Sequence, residues 1–455
     1  MIQPVEQRVK VIVGLGKTGM SCARYFQATG EPFRVIDSRF SPPELPEFER
    51  EFPDGAIELG GFSERSLQRA AEIVLSPGVS LKTPEIAKAV AAGVPVTGDI
   101  DIFSRVVKAP IIAVTGSNGK STVVTLVADM ARRASVRAGL GGNLDGKASV
   151  PALDLLRGDE RELYVLELSS FQLETTAHLG AEVAVILNLS EDHLDRYDSP
   201  ADYAAAKQRI FAGARQVLIN RDDAASAPQQ PTDATVWSYG LSAPETANDV
   251  GVISTDDGRD WIVIGEHRIM PVADLGLSGV HNTSNAMAAL GLGRAIGLPE
   301  SAMVAALREF NGLPHRCQLL RTLRGVRYVN DSKGTNVGAT LTALQSVKQG
   351  TEGQIVLIAG GLAKGADFTP LLPALASGVR QLVLIGRDAD QLAAVVDDRV
   401  PVVRAASLEA AVHIAADVAQ EGDVVLLSPA CASQDMFKDF AHRGRVFAST
   451  VGKLT

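Results

Sequence analysis

The sequence predicts an α/β protein of three domains built on mainly parallel sheets. Three observations predict it. Short apolar runs alternate with amphipathic helical stretches through nearly all of the 455 residues, which is the pattern of strands joined by crossover helices. Two glycine turns, Gly14–Gly19 and Gly116–Gly119, each lie between an apolar run and a helical stretch. The length exceeds one ordinary domain and suits about three.

Composition narrows the class. The chain is 46% hydrophobic and 21% charged, and it has no apolar run long enough to span a bilayer. Met1–Lys10 is polar and leads into a strand, so no secretory signal and no membrane insertion are expected. Cys22, Cys317 and Cys431 lie far apart in sequence and form no metal pattern; reduced thiols in a cytoplasmic protein are expected. A net charge of −9 argues against a nucleic-acid surface. Small anionic ligands must then be caught by local positive groups.

The first block, residues 1–98, opens with a strand at Val9–Val13, a glycine turn and a helix over Thr18–Thr29. Further strands are expected at Phe33–Ile36 and Ile73–Leu75, with a helix over Pro84–Ala91 and the exit from the block at Val94–Asp99. The second block, residues 99–312, has buried strands at Pro110–Val114, Tyr164–Leu168 and Val183–Leu189. Its helices are expected at Thr122–Arg132, Ala201–Ala212, 282–296 and 299–310. Residues 222–235 read as an exposed excursion and residues 250–270 as a hairpin around Asp256-Asp257-Gly258. The turn Asn311-Gly312-Leu313-Pro314 opens the third block, residues 313–455. Its strands are expected at Val326–Val329, Gln354–Ala359, Gln381–Ile385 and Asp423–Leu427. No internal repeat and no low-complexity tract is visible.

The strongest motif is Thr115-Gly-Ser-Asn-Gly-Lys-Ser-Thr122, between a strand and a helix. Backbone N–H groups of Gly116, Ser117, Asn118 and Gly119 and the helix start face an anion. Lys120 neutralises it, and the hydroxyl of Ser121 or Thr122 can ligand Mg2+. The loop is shorter than the usual G-x-x-x-x-G-K-[ST], because Val114 stands where the first glycine would fall. The central block is therefore expected to be a P-loop ATPase-like parallel sheet.

Gly14-Leu-Gly16-Lys-Thr-Gly19, with Asp37 ending the next strand, has the form of a dinucleotide fingerprint and makes the first block Rossmann-like. The turn requires only a diphosphate close to bare backbone, so NAD, FAD and a UDP-sugar all satisfy it. The second phosphate loop favours a non-redox diphosphate. Glu167 ends a buried strand beside the phosphate loop, where it can hold Mg2+ directly or through water. Asp192-His193 follows another such strand at the ligand-binding edge. Lys207 shares a helix with Tyr203 and Ile210 and reads from the residues alone as a solvated lysine; an unmodified ammonium cannot ligand Mg2+. Arg316, Asp331, Lys333, Thr335 and Lys364 gather near the start of the third block, also expected to be Rossmann-like. Ser433 is expected near a helix start, whose N–H groups suit a carboxylate. Cys431 has no evident partner base and reads as packing.

Together these residues resemble the Mur ligase family over essentially the whole chain. The order of glycine turn, Gly-Ser-Asn-Gly-Lys-Ser loop, Glu-Leu-Ser-Ser-Phe, Asn-Leu-Ser-Glu-Asp-His and His281-Asn-Thr-Ser-Asn285 carries the resemblance. Asn330-Asp-Ser-Lys-Gly-Thr-Asn336 and Leu427-Ser-Pro-Ala-Cys-Ala-Ser433 point to the members that add D-glutamate to UDP-N-acetylmuramoyl-L-alanine in peptidoglycan precursor synthesis. The Asp-Asn-Pro-Arg stretch of the diaminopimelate- and lysine-adding members is absent. Gly334 stands where alanine is expected and should loosen its turn.

The resemblance implies roles for individual residues. Lys17, Thr18, Ser38, Arg39, Ser76, Pro77, Gly78, Asn143 and His193 would bind the UDP substrate. ATP would lie on residues 116–122 with Asn282, Asn285, Arg316 and Asp331. D-glutamate would meet Lys333, Thr335, Lys364, Ser433 and Phe440. Catalysis would fall to Lys120, Glu167, His193 and Lys207. Two Mg2+ ions would be held by Ser121, Glu167, His193 and Lys207, the last as a CO2-derived carbamate. The partners implied are these small molecules, with the chain acting as a monomer whose domains close about hinges near residues 98 and 312. Three other readings remain open: an NAD-dependent oxidoreductase, a non-catalytic ATP-gated binding protein, and a sister ligase using another amino acid.

Overall fold

The structure, a computed structural model, describes residues 8–144, 150–190, 192, 196–277, 279–349 and 351–455. Three sheets follow one another along the chain. The first has strands β1 (Lys10–Val13), β2 (Phe33–Asp37), β3 (Ile57–Leu59), β4 (Glu72–Leu75) and β5 (Val96–Thr97). It is wholly parallel in the order β3-β2-β1-β4-β5. That order reverses direction at β1/β4, which opens a crevice at the strands' carboxyl ends, above Gly14 and Ser76.

The second sheet contains β6 (Ile111–Thr115), β7 (Ala138–Gly142), β8 (Leu163–Glu167), β9 (Val183–Ile186), β10 (Gln216–Asn220) and β11 (Thr235–Tyr239). It continues through β12 (Asp249–Ser254), β13 (Asp260–Ile264) and β14 (His267–Pro271). The order is β14-β13-β12-β11-β10-β9-β6-β8-β7. Only the β12-β13-β14 edge is antiparallel, so the hairpin expected over 250–270 forms. β6 is flanked by β8 and β9, which brings the ends of all three strands to one place.

The third sheet holds β15 (Gln318–Leu323), β16 (Val326–Asn330), β17 (Ile355–Gly360), β18 (Val379–Ile385), β19 (Val402–Arg404) and β20 (Val424–Leu427). Its order is β15-β16-β20-β17-β18-β19, antiparallel only at β15. Central strands such as Ile355–Gly360 are buried on every residue, as continuous apolar runs covered by helices on both faces require.

The core shows how the units are joined. Ile12, Leu15, Met20 and Phe26 of the first unit share one buried cluster with Ile100, Phe103, Ala113, Leu166 and Ile186. The helix Asp99–Val106 supplies the bridge. The expected hinge near residue 98 therefore sits on a packed apolar seam, and a Cβ on Gly98 would lie 2.3 Å from Thr175 Oγ1. Among the described residues, no buried hydrophobic cluster joins the third sheet to the second. Polar contacts meet there instead.

The glycine turn is sterically tight. A Cβ on Gly19 would stand 2.1 Å from the Gly14 carbonyl oxygen, so the helix Lys17–Thr29 can approach β1 only through glycine. Gly19→Ala is expected to lower folding stability by about 1–3 kcal/mol, the usual cost of overpacking. Urea unfolding with an unchanged midpoint would contradict this.

Candidate active site

The phosphate loop is shaped by its glycines. Gly116 and Gly119 hold φ of 151° and 81°, a region costly for other residues. A Cβ on Gly119 would meet Asn285 Oδ1 at 2.4 Å, so the helix Val280–Ala295 also crowds this turn. Asn282 and Asn285 occupy its first turns, three residues apart and on one face. Lys120 Nζ donates to the carbonyls of Gly116 (2.8 Å) and Ser117 (2.9 Å). Burial pushes the Lys120 pKa down, with Arg316 and Lys333 adding to the fall and Glu167 opposing it.

Glu167 ends β8 and is 2% exposed. Its Oε2 accepts Ser121 Oγ at 2.6 Å, and its Oε1 accepts Asn143 Nδ2 at 3.4 Å. Arg316 reaches across from the third unit and donates to Ser121 Oγ at 2.8 Å. A buried carboxylate and a hydroxyl, both hard oxygen donors, suit Mg2+ shared with nucleotide phosphates. No group of three or more His, Cys, Asp or Glu that could hold a metal occurs among the described residues. An ion here would complete its shell from phosphate and water. His193 lies outside the described residues.

Lys207 departs from the solvated reading of its helix. It is 2% exposed, and its Nζ donates to Thr115 Oγ1 (3.1 Å) and Gly116 O (3.0 Å). It lies 4.8 Å over the Tyr203 ring. Burial pushes its pKa well below the usual lysine range, and nearby Lys120 adds to the fall. The reason lies in the fold: Tyr203, Ala206 and Lys207 form the buried face of Pro200–Gln208, and that face delivers the Lys207 amine to the end of β6.

The UDP-substrate residues expected from the sequence meet in one cavity of about 520 Å³. Lys17, Thr18, Ser38, Arg39, Ser76, Pro77, Gly78 and Asn143 all line it, with Asp99 and Gln172, which sequence reasoning missed. Asp37 also borders the cavity, but its carboxylate is already occupied. It accepts Leu15 N–H at 2.7 Å and a two-point contact from Arg39 at 2.8 and 2.6 Å. Burial raises its pKa, and these hydrogen bonds outweigh that and hold it below the ordinary value. An Asp so occupied is poorly placed to grip the ribose hydroxyls of a nicotinamide dinucleotide.

The residues expected to bind D-glutamate divide. Thr335 and Lys364 line a second cavity of about 250 Å³ together with Ser190, Asp192 and Asn336. Lys333 Nζ instead sits 4.0 Å over the Phe440 ring, and Ser433 is 2% exposed. The bridge between Leu362 and Ala432 ties the loops of Lys364 and Ser433 together. Ser433 does not start a helix: its carbonyl closes a turn with Met436 and Phe437 N–H, and the helix begins at Phe440 behind the Asp439 cap. Cys431 is buried, and burial pushes its thiol up to about 12, which suits packing.

Asp331 accepts Ser428 Oγ at 2.7 Å and Cys317 N–H at 3.1 Å. A Cβ on Gly334 would meet Asp331 Oδ2 at 2.5 Å and Ser428 Oγ at 2.6 Å. Glycine here makes room for that pair, where loosening of the turn had been expected.

Comparison with known proteins follows this geometry. Residues 8–98 match the Mur ligase MurD-like N-terminal domain, 114–293 the Mur ligase middle domain, and 315–431 the Mur ligase glutamate ligase domain. The chain belongs to the Mur ligase family. It is 52% identical over 445 residues, 98% of each chain, to a UDP-N-acetylmuramoylalanine–D-glutamate ligase of Pseudomonas aeruginosa. A ligase of the same description from Marinobacter nauticus is 49% identical and covers 99% of each chain. Among solved Mur ligases, the UDP-N-acetylmuramate–alanine ligase of Thermotoga maritima shares the fold with a TM-score of 0.62 at 18% identity, covering 98% of this chain and 99% of that one.

Asp99 offers a test of the site's electrostatics in this Mur ligase. Neither carboxylate oxygen completes a hydrogen bond, and burial raises its pKa to about 6, against weaker lowering by the Ile100 N–H and Gln172. A raised native carboxyl pKa means the folded state binds the proton more tightly. The cost of ionisation is absent below the unfolded pKa and fully present above about 6. Asp99→Asn should therefore raise the melting temperature at neutral pH by the equivalent of about 1–3 kcal/mol. The gain should vanish near pH 4; melting curves showing a gain independent of pH would contradict the assignment.

Proposed function

We propose that the chain is an ATP-dependent amide ligase that joins D-glutamate to the L-alanine carboxyl of UDP-N-acetylmuramoyl-L-alanine. The observation that carries this reading is near-full-length identity of about half to relatives described as that ligase. It agrees with a phosphate loop standing between a cavity suited to a UDP-sugar and one presenting Lys364. Such a step belongs to peptidoglycan precursor synthesis. A cytoplasmic, monomeric enzyme of three domains, 1–98, 99–312 and 313–455, suits substrates that are themselves cytoplasmic; no helix among the described residues is long and apolar enough to cross a membrane.

A carboxylate is a poor acyl donor, so it must first be activated. One oxygen of the alanine carboxylate attacks the γ-phosphorus of ATP, the bond to the β-phosphate bridging oxygen breaks, and ADP leaves. The neutral amine of D-glutamate then attacks the acyl carbon. The C–O bond to phosphate breaks, the amide forms, and the amine proton passes to solvent or phosphate. Lys120 and the N–H groups at the start of the helix Lys120–Arg133 stabilise charge gathering on the transferred phosphoryl group, while the Ser117 and Asn118 N–H groups are taken up by Asn188, and Arg316 closes the site from the third unit. Asn282, Asn285 and Asp331 flank the nucleotide. Glu167 and Ser121 would hold a Mg2+ ion, which supplies charge neutralisation on the phosphates. His193 and a carbamate on Lys207 would hold a second. A buried neutral amine is the form that captures CO2, and the surroundings of Lys207 favour that form.

Lys364 is the cation suited to the incoming carboxylates, with Thr335 beside it and Lys333, Ser433 and Phe440 nearby. Three outcomes follow from phosphate-release assays. Release should require ATP, UDP-N-acetylmuramoyl-L-alanine and D-glutamate together. L-glutamate or another amino acid serving as well would overturn the subgroup assignment. Lys120→Ala should reduce turnover at least about a hundredfold, roughly 3 kcal/mol of transition-state stabilisation. Lys364→Ala should raise the KM for D-glutamate while sparing that for ATP; unchanged values would remove it from the amino-acid site.

A further inference from the structure

Described residues after β9, among them Asn188, Ser190, Asp192 and Arg196, bond with all three units. Asn188 and Asn118 exchange two hydrogen bonds, at 2.8 and 3.2 Å, and Ser190 N–H donates to Ser117 Oγ at 2.9 Å, which fastens Asn188 and Ser190 to the phosphate loop. Asn336 of the third unit donates to Asp192 at 3.0 Å. In the other direction, Arg196 donates to the carbonyls of Pro77 and Val79, each at 3.2 Å. The same guanidinium contacts Glu174 at 2.6 and 3.3 Å and lies 4.5 Å over the Phe171 ring. Its side chain is 12% exposed. Pro77 and Val79 form the wall of the first cavity.

The geometry is specific to arginine. A planar fork can hold two carbonyls, a carboxylate and an aromatic face at once, whereas the compact lysine ammonium cannot. Removing it would leave Glu174 and two loop carbonyls unpaired in a largely buried setting. Lys82 and Asp198 form a second tie at 2.6 Å across the same boundary, but both are exposed and such pairs contribute little.

We infer that Arg196 is a positioning residue that locks the Pro77–Val79 wall of the UDP-substrate cavity to the helix Ser170–Glu174, which follows β8 and its Glu167, so that a UDP-sugar bound at one end presents its carboxylate at the other. This rests on the ligase reading. Arg196 touches neither reactant; it fixes the distance and angle between the two halves of a long substrate. UDP alone needs only the first half.

Calorimetric titration of wild-type protein, Arg196→Lys and Arg196→Ala separates the possibilities. The ligands are UDP, UDP-N-acetylmuramoyl-L-alanine and a non-hydrolysable ATP analogue. Both variants should bind UDP and the ATP analogue within about twofold of wild type and the UDP-sugar at least about tenfold more weakly. Methylguanidinium should restore part of the loss in Arg196→Ala. The inference is overturned if UDP-sugar affinity is unchanged, or if UDP weakens by the same factor, which would mark damage to the loop alone. Wild-type protein that does not bind the UDP-sugar would overturn the ligase reading instead, a result separate from a loss confined to the variants.

Discussion

Two amines, Lys207 buried and Lys120 half-buried, share one carbonyl oxygen. Lys120 and Lys207 both donate to Gly116 O, at 2.8 and 3.0 Å, and burial lowers the pKa of each. Holding two desolvated cations this close is costly unless anions arrive. Glu167 at the end of β8 and Asp192 beyond β9 supply part of the compensation, and both oppose the fall of the Lys120 pKa. The remainder must come from bound groups. The placement of β6 between β8 and β9 concentrates these charges at the carboxyl ends of the strands, and the start of the helix Lys120–Arg133 adds to the positive lining.

Those strand ends lie between two differently built interfaces. The first unit is fused to the second through a continuous apolar cluster spanning Leu15, Phe26, Phe103 and Leu166. The third unit meets the second through hydrogen bonds such as Arg316 to Ser121 and Asn336 to Asp192. Apolar seams resist sliding because any displacement exposes packed surface, whereas polar contacts exchange with water at small net cost. A rigid joint between the first two units and a third unit able to approach and withdraw is the division of labour this arrangement favours. It would also exclude water while an activated acyl group exists.

Much of this was legible in the sequence because strand, turn and helix signals coincide at the phosphate loops. Both glycine turns, the helix Pro84–Ala91 and the buried strands flanking Gly116 follow from apolar runs and their punctuation. The short edge strands β3, β5 and β19 were not visible, having only two or three residues each. β7 reads Ala-Gly-Leu-Gly-Gly, too poor in β-branched residues to signal a strand. Lys207 was misread because helical periodicity reports which residues share a face and not what stands above that face. Asp99 and Arg196 were missed for a related reason: Asp99 faces a cavity lined largely by the first unit, and Arg196 reaches Pro77 and Val79 there, so only the assembled sheets reveal their surroundings. The start of the helix at Phe440 was displaced because the Ser433 turn makes helix-like bonds without continuing.

The state of the Lys207 amine decides how this site is used, and carbon-13 NMR of the protein in carbon-13 bicarbonate reads it directly. Wild-type protein in mildly alkaline buffer is predicted to show one carbamate carbon resonance that is absent from Lys207→Arg. A wild-type spectrum without that resonance, with the Lys207 amine titrating in the ordinary lysine range, would contradict the claim that this site is built to gather anions around the amines of Lys120 and Lys207.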